Sequence, residues 1–256
     1  SKALKEGQSN ASNGLLIAAS GAIATISKNR IYNLVQVNSP GVTNPLVNGM
    51  VLQVGSTVTV SNNFISDLKA PLANIADAIR GINVNSTTGG STFNIYYNSV
   101  YLNATSAGGT FGTTAIFHTG NASATSAALN IRNNIFDNES VSNGAGLTVA
   151  LRKSITSLVN YQATSNNNLF FAGSLAIPGL LFYDGINSIT TIAAMQTLLA
   201  TRESASITAR PSFVSATDLH LILNNNCGID GAGAPIAGIT DDIDAETRDA
   251  ITPDIG

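Results

Sequence analysis

Cysteine is nearly absent. Cys227 stands alone, which excludes an intramolecular disulfide framework and any cysteine-rich metal site. Tryptophan is missing, aromatic residues reach only 6%, and charged residues only 11%. The 12 Lys and Arg are scattered and the net charge is −3, so the electrostatic footprint of a nucleic-acid binder is lacking. No apolar run approaches the ~20 residues that span a bilayer. The polar opening stretch, "SKALKEGQSNASNG" from Ser1, has no apolar h-region, so a signal peptide is missing or already removed. A lone thiol does not set the compartment.

What fills the 256 residues is 44% apolar side chains together with abundant Asn, Ser, Thr, Gly and Ala. Low charge combined with many β-branched residues does not suit a disordered chain. It suits an extended β surface covered by hydroxyls and amides, and the length accommodates two average domains or one large all-β unit. Sequons at Asn10, Asn85, Asn103, Asn121 and Asn138 are what this composition produces by chance.

Self-similarity carries the argument further. The stretch "NIYYNSVYL" aligns with "TISKNRIYNL", "TVSNNFISDL", "NIRNNIFDNE" and "ATSNNNLFFAG". A shared asparagine falls at Asn29, Asn63, Asn98, Asn134 and Asn168, at intervals of 34, 35, 36 and 34. An apolar residue follows two places later: Ile31, Ile65, Val100, Phe136 and Phe170. Another precedes by three places at Ile26, Val60, Ile95 and Ile131, while Ser165 breaks that rule in the last copy. A third run recurs upstream: "LLIAA", "MVLQV", "AIRGI", "AIFHT" and "TVALR".

Each period therefore holds three short strands, one coil of a three-faced parallel β-solenoid of about 35 residues per coil, stacked at ~4.8 Å. The sharp bend between the second and third strands needs a residue that accepts left-handed backbone angles, and Asn serves there. Stacked coils would place one Asn over the next, so that their amides bond along the column and offset the cost of burial. In this phase Ile31, Ile65, Val100 and Phe136 point inward, and Tyr32, Ser66, Tyr101 and Asp137 point outward.

The coils occupy residues 1–185 and a capping segment 186–256, in one continuous domain. "TTIAAMQTLLATRES" has helical spacing at Ile192, Met195 and Leu199, with Thr190 or Thr191 as N-cap. An Asp-rich tail is expected to follow it across the last coil. No such helix precedes "LLIAAS", so either more polypeptide precedes Ser1 or another copy stacks there.

The chain resembles a right-handed parallel β-helix of the pectin-lyase-like superfamily, in which asparagine ladders occupy such a corner. Downstream, "NSVYLNATS", "TSNNNLFFAG", "LLFYDG", "TIAAMQ", "PSFVSATDLHL" and "GITDDIDAETRDAITPDIG" together resemble a β-helix module of large secreted surface proteins of Bacteroidota and related bacteria. The match covers roughly residues 75 to 256. The resemblance implies right-handed coils and a location outside the cell or on the bacterial surface. It also implies that Gly256 is not a natural domain end.

Pectate-lyase relatives use clustered Asp to hold Ca²⁺, with Arg or Lys as base. Here Asp67 and Asp137 share an outward face but lie in non-adjacent coils, too far apart for one Ca²⁺. Glycosidases need two carboxylates about 5–9.5 Å apart, and adjacent coils carry no acid pair at equivalent positions between residues 15 and 185. Acids gather near the end instead. Asp242, Asp244 and Glu246, with Asp241 beside them, suit a structural Ca²⁺ site if extended. A solvated capping loop, paired with Arg248, accounts for the same acids, and the EF-hand signature is absent. His118 and His220 read as isolated strand residues, and Cys227 has no base near it in sequence. Outward Tyr32, Tyr96 and Tyr101 could stack on sugars, although strand propensity also favours Tyr there.

The leading expectation is a non-catalytic, exported structural or adhesive module, a filament or matrix subunit that meets other copies, or neighbouring domains of a longer chain, through its ends. The alternative is a β-helix that binds or cleaves surface or matrix polysaccharide, as a lyase or hydrolase. No nucleic acid, no membrane span and no cofactor other than structural Ca²⁺ is expected.

Overall fold

Alternating apolar residues in runs of five, separated by small polar turns, dictate short strands that bury one face. The computed structural model describes residues 4–5, 11–21, 23–37, 45–222 and 225–256. The sequon at Asn10 and most of the polar opening stretch lie outside them. The strands stack in three main parallel sheets. The first holds Ser12–Ile17, Val47–Leu52, Ile75–Val84, Phe111–His118, Thr148–Lys153 and Leu180–Tyr183, ending in an antiparallel Ser188–Ile189. The second holds Ile23–Ser27, Thr57–Ser61, Thr92–Tyr96 and Ala128–Arg132. The third holds Arg30–Ile31, Phe64–Ile65, Ser99–Leu102, Ile135–Asn138 and Leu169–Ala172. A short fourth sheet pairs Leu4–Lys5 with Leu34–Gln36 and Leu68–Lys69 in the first coils.

Register places like residues over like. Leu15, Met50, Ile82, Ile116, Leu151 and Phe182 form one inner column. Ile26, Val60, Ile95 and Ile131 form a second. Ile31, Ile65, Val100, Phe136 and Phe170 form the third, with the rings of Phe136 and Phe170 stacked at 5.6 Å. Most of these side chains are wholly buried, and truncating one costs on the order of 2–5 kcal/mol. Where Ser165 breaks the pattern, the second strand fails to form and isolated bridges at Tyr161 and Asn166 replace it. The Ser165 hydroxyl then accepts the Ile131 N–H at 3.1 Å.

The five asparagines form one ladder. Asn29, Asn63, Asn98 and Asn134 each donate Nδ2 to Oδ1 of the next, at 2.8, 2.8, 3.0 and 2.9 Å. Each receiving Oδ1 also takes the backbone N–H of the asparagine below it, at 3.0–3.1 Å. The Nδ2 groups reach carbonyls as well: Asn98, for example, donates to Val60 and Tyr96 at 2.9 and 3.0 Å. Both ends of every buried amide in the column are satisfied.

One expectation about this corner is corrected. The left-handed residue is the one before each ladder asparagine: Lys28, Asn62, Tyr97, Asn133 and Asn167, with φ of 59°, 54°, 52°, 57° and 56°. The left-handed residue turns the chain and points outward, while the next residue turns its amide in. Asparagine is required at the second position for its bonding, not for its backbone angles.

The helix Ile192–Leu199 starts at Thr191, whose side chain accepts the Ala194 N–H, and buries Met195 and Leu199 in the solenoid core. The Asp-rich tail does not stay over the last coil. It runs back along the outside of the third sheet, from Ala232 beside Asn167 to Asp241 beside Lys28. Ile229 and Ile255 of the tail pack on Ile135, Leu169 and Phe171 in a second, smaller core. Ser66 and Asp137, which alternation alone assigns to solvent, are buried.

Candidate functional site

Alternation along Ile135–Asn138 turns Asp137 out of the solenoid, between Tyr101 and Phe171 of the neighbouring coils. Glu139, just beyond the strand, points the same way. The hairpin of Phe213–Ser215 and Asp218–Leu221 folds over this face, and Phe213 lies against Tyr101 with ring centroids 5.5 Å apart. Arg210 grips Glu139 with both arms of its guanidinium, one bond measuring 2.7 Å. A cleft of about 320 Å³ separates hairpin from sheet, walled by Tyr101, Glu139, Arg210 and Phe213. A second, of about 330 Å³, lies on the other side of Glu139, among Val141, Leu147, Ile177 and Leu180.

The two acids sit in opposite environments. Asp137 is fully buried and neither carboxyl oxygen has a hydrogen-bond partner among the described residues. Burial, reinforced by the negative charge of Glu139, raises its pKa well above the ordinary value. Glu139 keeps Arg210 as its counter-ion. The same burial and both acids push the Tyr101 phenol up to about 12. A buried acid that holds its proton more tightly than usual, beside a carboxylate paired with an arginine, is an arrangement that general acid–base chemistry uses. The acid has no surface, so a substrate would reach it only if the hairpin moved. The sequence comparison between coils missed this pair because the acids are neighbours along one strand.

Other charged groups are bonded within the chain. On the outer face of the first sheet, Asp77 pairs with Arg80 at 2.7 Å and Arg152 at 3.2 Å, and accepts the Thr114 hydroxyl at 2.7 Å. Arg80 lies 3.5 Å over the Phe117 ring. His118 and Lys153 occupy one inner column, paired in register. His118 Nε2 is 2.7 Å from the Ala127 carbonyl, so that nitrogen carries the proton and Nδ1 accepts from Lys153 Nζ at 3.0 Å. Burial holds the imidazole well below its usual pKa and lowers Lys153 to about 7. His118 is thus a bonded core residue rather than an isolated one.

The structure disperses the other candidates. Asp241 pairs with Lys28 at 2.6 Å, and Asp244 with Arg30 at 2.9 Å and His220 at 2.5 Å. Asp242 accepts the N–H groups of Asp244 and Glu246 in a turn. Among the described residues no group of three or more His, Cys, Asp or Glu is arranged to hold a metal. Asp218 holds the other nitrogen of His220, whose ring meets Phe64 edge-on. Tyr32 is exposed. Tyr96 lies on the second sheet bonded to Asn94 and Asn130, and Tyr101 lies on the third under Phe213. Tyr32 and Tyr101 follow register-paired positions of the third sheet two coils apart, and Tyr96 lies on a different sheet. Cys227 is exposed.

Stacked parallel strands and the asparagine column define the class: a parallel β-solenoid. Comparisons with family models, curated proteins and solved structures each give no match. No helix among the described residues is long and apolar enough to cross a membrane.

Proposed function

We propose that the chain is a structural or adhesive module of an exported bacterial surface or matrix protein, built as a rigid rod. The observation that carries this reading is the amide column running through every coil from Asn29 to Asn168. It makes stiffness a property of the whole length, and the rod's outer ion pairs are internal braces. Among the described residues, Ser12–Ile17, Ile23–Ser27 and Arg30–Ile31 pair on one side only, while Leu4–Lys5 lies over Val35–Gln36; such strand edges suit contact with other copies or with neighbouring domains. The resemblance of residues 75 to 256 to Bacteroidota surface modules supports the location, and with it the pectin-lyase-like ancestry. Electron microscopy across a concentration series tests the reading. Filaments or end-to-end particles are expected, and a monomer at every concentration counts against assembly.

A second reading rests on the split pair Asp137 and Glu139. In it, polysaccharide lies in the cleft under the hairpin, with Asp137 as proton donor and Glu139 as base. Incubation with a polysaccharide panel, measuring released ends and retained glycan separately, distinguishes the two. Release that disappears in Glu139→Gln favours the enzyme. Retention without release favours adhesion.

A further inference from the structure

The left-handed corner residues do more than turn the chain. Their side chains form an outer column parallel to the inner ladder, and the segment 229–256 lies along it. Asn133 grips both main-chain polar groups of Ala234, donating Nδ2 to its carbonyl at 2.7 Å and accepting its N–H at 3.0 Å. The Tyr97 hydroxyl donates to the same carbonyl at 3.1 Å. Asn167 donates to the Ala232 carbonyl at 3.0 Å and Asn62 to the Asp241 carbonyl at 2.9 Å. These contacts read main chain, so they hold the segment, which turns at Ile236–Ile239 and Asp241–Thr247, largely without regard to its side chains. Charge then sets direction: Lys28 and Arg30, at the first-coil end, meet Asp241 and Asp244.

The fit is loose. Cavities of about 310 and 200 Å³ remain between segment and wall, and Asn62 lines both. Only Ile229, Ile236, Pro253 and Ile255 of the segment are buried. A strap held by a few apolar anchors and by polar contacts to main chain suits exchange, because an identical strap from another copy restores every contact.

We propose that this outer column is a polypeptide-binding track, and that its second occupant is segment 229–256 of another copy, so that two chains join side by side by exchanging straps. This association is lateral and independent of the end-to-end contacts proposed above.

The Lys28–Asp241 ion pair supplies the test. A water-soluble carbodiimide activates the carboxylate and joins it to the Lys28 amine as an amide, with net loss of water. Full-length chains of light and heavy nitrogen are mixed at rising concentration, treated, digested and weighed. Exchange gives mixed-isotope Lys28–Asp241 pairs that approach the statistical share as concentration rises. Only same-isotope pairs at every concentration would overturn the proposal. A second arm uses Lys28→Glu and Asp241→Lys, both at half-exposed side chains and each repulsive alone. In neither variant does one chain carry a carboxylate at position 28 together with an amine at position 241. An amide joining those two groups in their mixture is therefore necessarily between chains. Its appearance together with dimers supports exchange, and a monomeric mixture without it overturns exchange. Filaments lacking mixed pairs would leave end stacking intact while sinking the track.

Discussion

Asn168 Nδ2 donates to a carboxylate oxygen of Glu203 at 3.0 Å, so the amide column ends on an acid. All its members donate in one direction, so the last needs an acceptor that has nothing to donate in return. Glu203 also takes the hydroxyl protons of Tyr161 and Ser206, and Ser206 Oγ accepts the Asn168 N–H at 2.8 Å. A carboxylate accepts from all three donors, whereas a glutamine turns an N–H₂ toward at least one of them.

Glu203→Gln is therefore expected to lower stability by about 1–3 kcal/mol although its shape is nearly unchanged. Chemical denaturation monitored by far-ultraviolet circular dichroism reads this directly. Hydrogen exchange should show the loss at the last coil first, with the first coils protected as before. Equal loss along the whole rod would contradict the cap role.

Neighbouring asparagines should behave in opposite ways. Asn134→Ala removes a buried amide that serves Asn98, Ile95, Arg132 and Asn168, and unpaired buried groups at the site should cost ~3 kcal/mol or more. Asn133→Gly keeps the left-handed turn, which glycine adopts readily, and removes the grip on Ala234 together with the contact to the Tyr97 hydroxyl. Its solenoid should melt near the wild-type midpoint while limited proteolysis cuts residues 229–256 much faster. Asn133→Ala adds backbone strain at φ 57° and should be less stable than the glycine variant.

The coils were legible because a solenoid repeats its physics: each layer stacks like on like, so Ile95 and Asn98 have counterparts one period away. Thr191 and the helical spacing of Ile192, Met195 and Leu199 were equally readable, being local. The covering of Asp137 was not, since Phe213 and Arg210 lie over 70 residues away in a stretch without period. Adjacent asparagines at 62–63, 133–134 and 167–168 hid which member takes the left-handed turn. Tyr97 and Lys28 show that the turning position tolerates other residues, which composition reasoning discounts. His118 and Lys153 were one period apart and could have been paired by the rule that aligned the asparagines.

Lys153 should make the rod more stable in alkali. Its amine titrates at about 7 in the folded chain, lowered first by burial, then by Arg202, against 10.5 when exposed. Below pH 7 the amine is charged in both states and the fold bears the full cost of burying it. Between pH 7 and 10.5 the unfolded chain binds the extra proton, so stability rises by up to about 1.4 kcal/mol per pH unit. Lys153→Met removes the titrating group and should flatten this rise, with its largest gain over wild type below pH 7, where the fold bears the full cost. Urea midpoints at pH 6.5, 8 and 9.5 measure it. A wild-type slope that survives in the variant would assign the rise to other groups.

Asp137 predicts the opposite slope. Its carboxyl titrates well above the ordinary 3.8 in the folded chain because burial, then Glu139, disfavours the charge. The folded state therefore holds a proton that the unfolded state has released. Stability from this group is complete below the unfolded value and falls as pH rises toward the folded one. Asn cannot ionise and has nearly the same shape, so Asp137→Asn should leave the denaturation midpoint almost unchanged at pH 3.5 and raise it at pH 8. If the cleft under the hairpin performs acid–base chemistry, the same variant should gain stability and lose turnover together, as expected where a destabilised group serves a function. A rod with no chemistry gains stability and loses nothing. Paired melts and polysaccharide assays on this one variant separate those outcomes, and a midpoint that drops at pH 8 would show that Asp137 is ionised and paired in the folded chain.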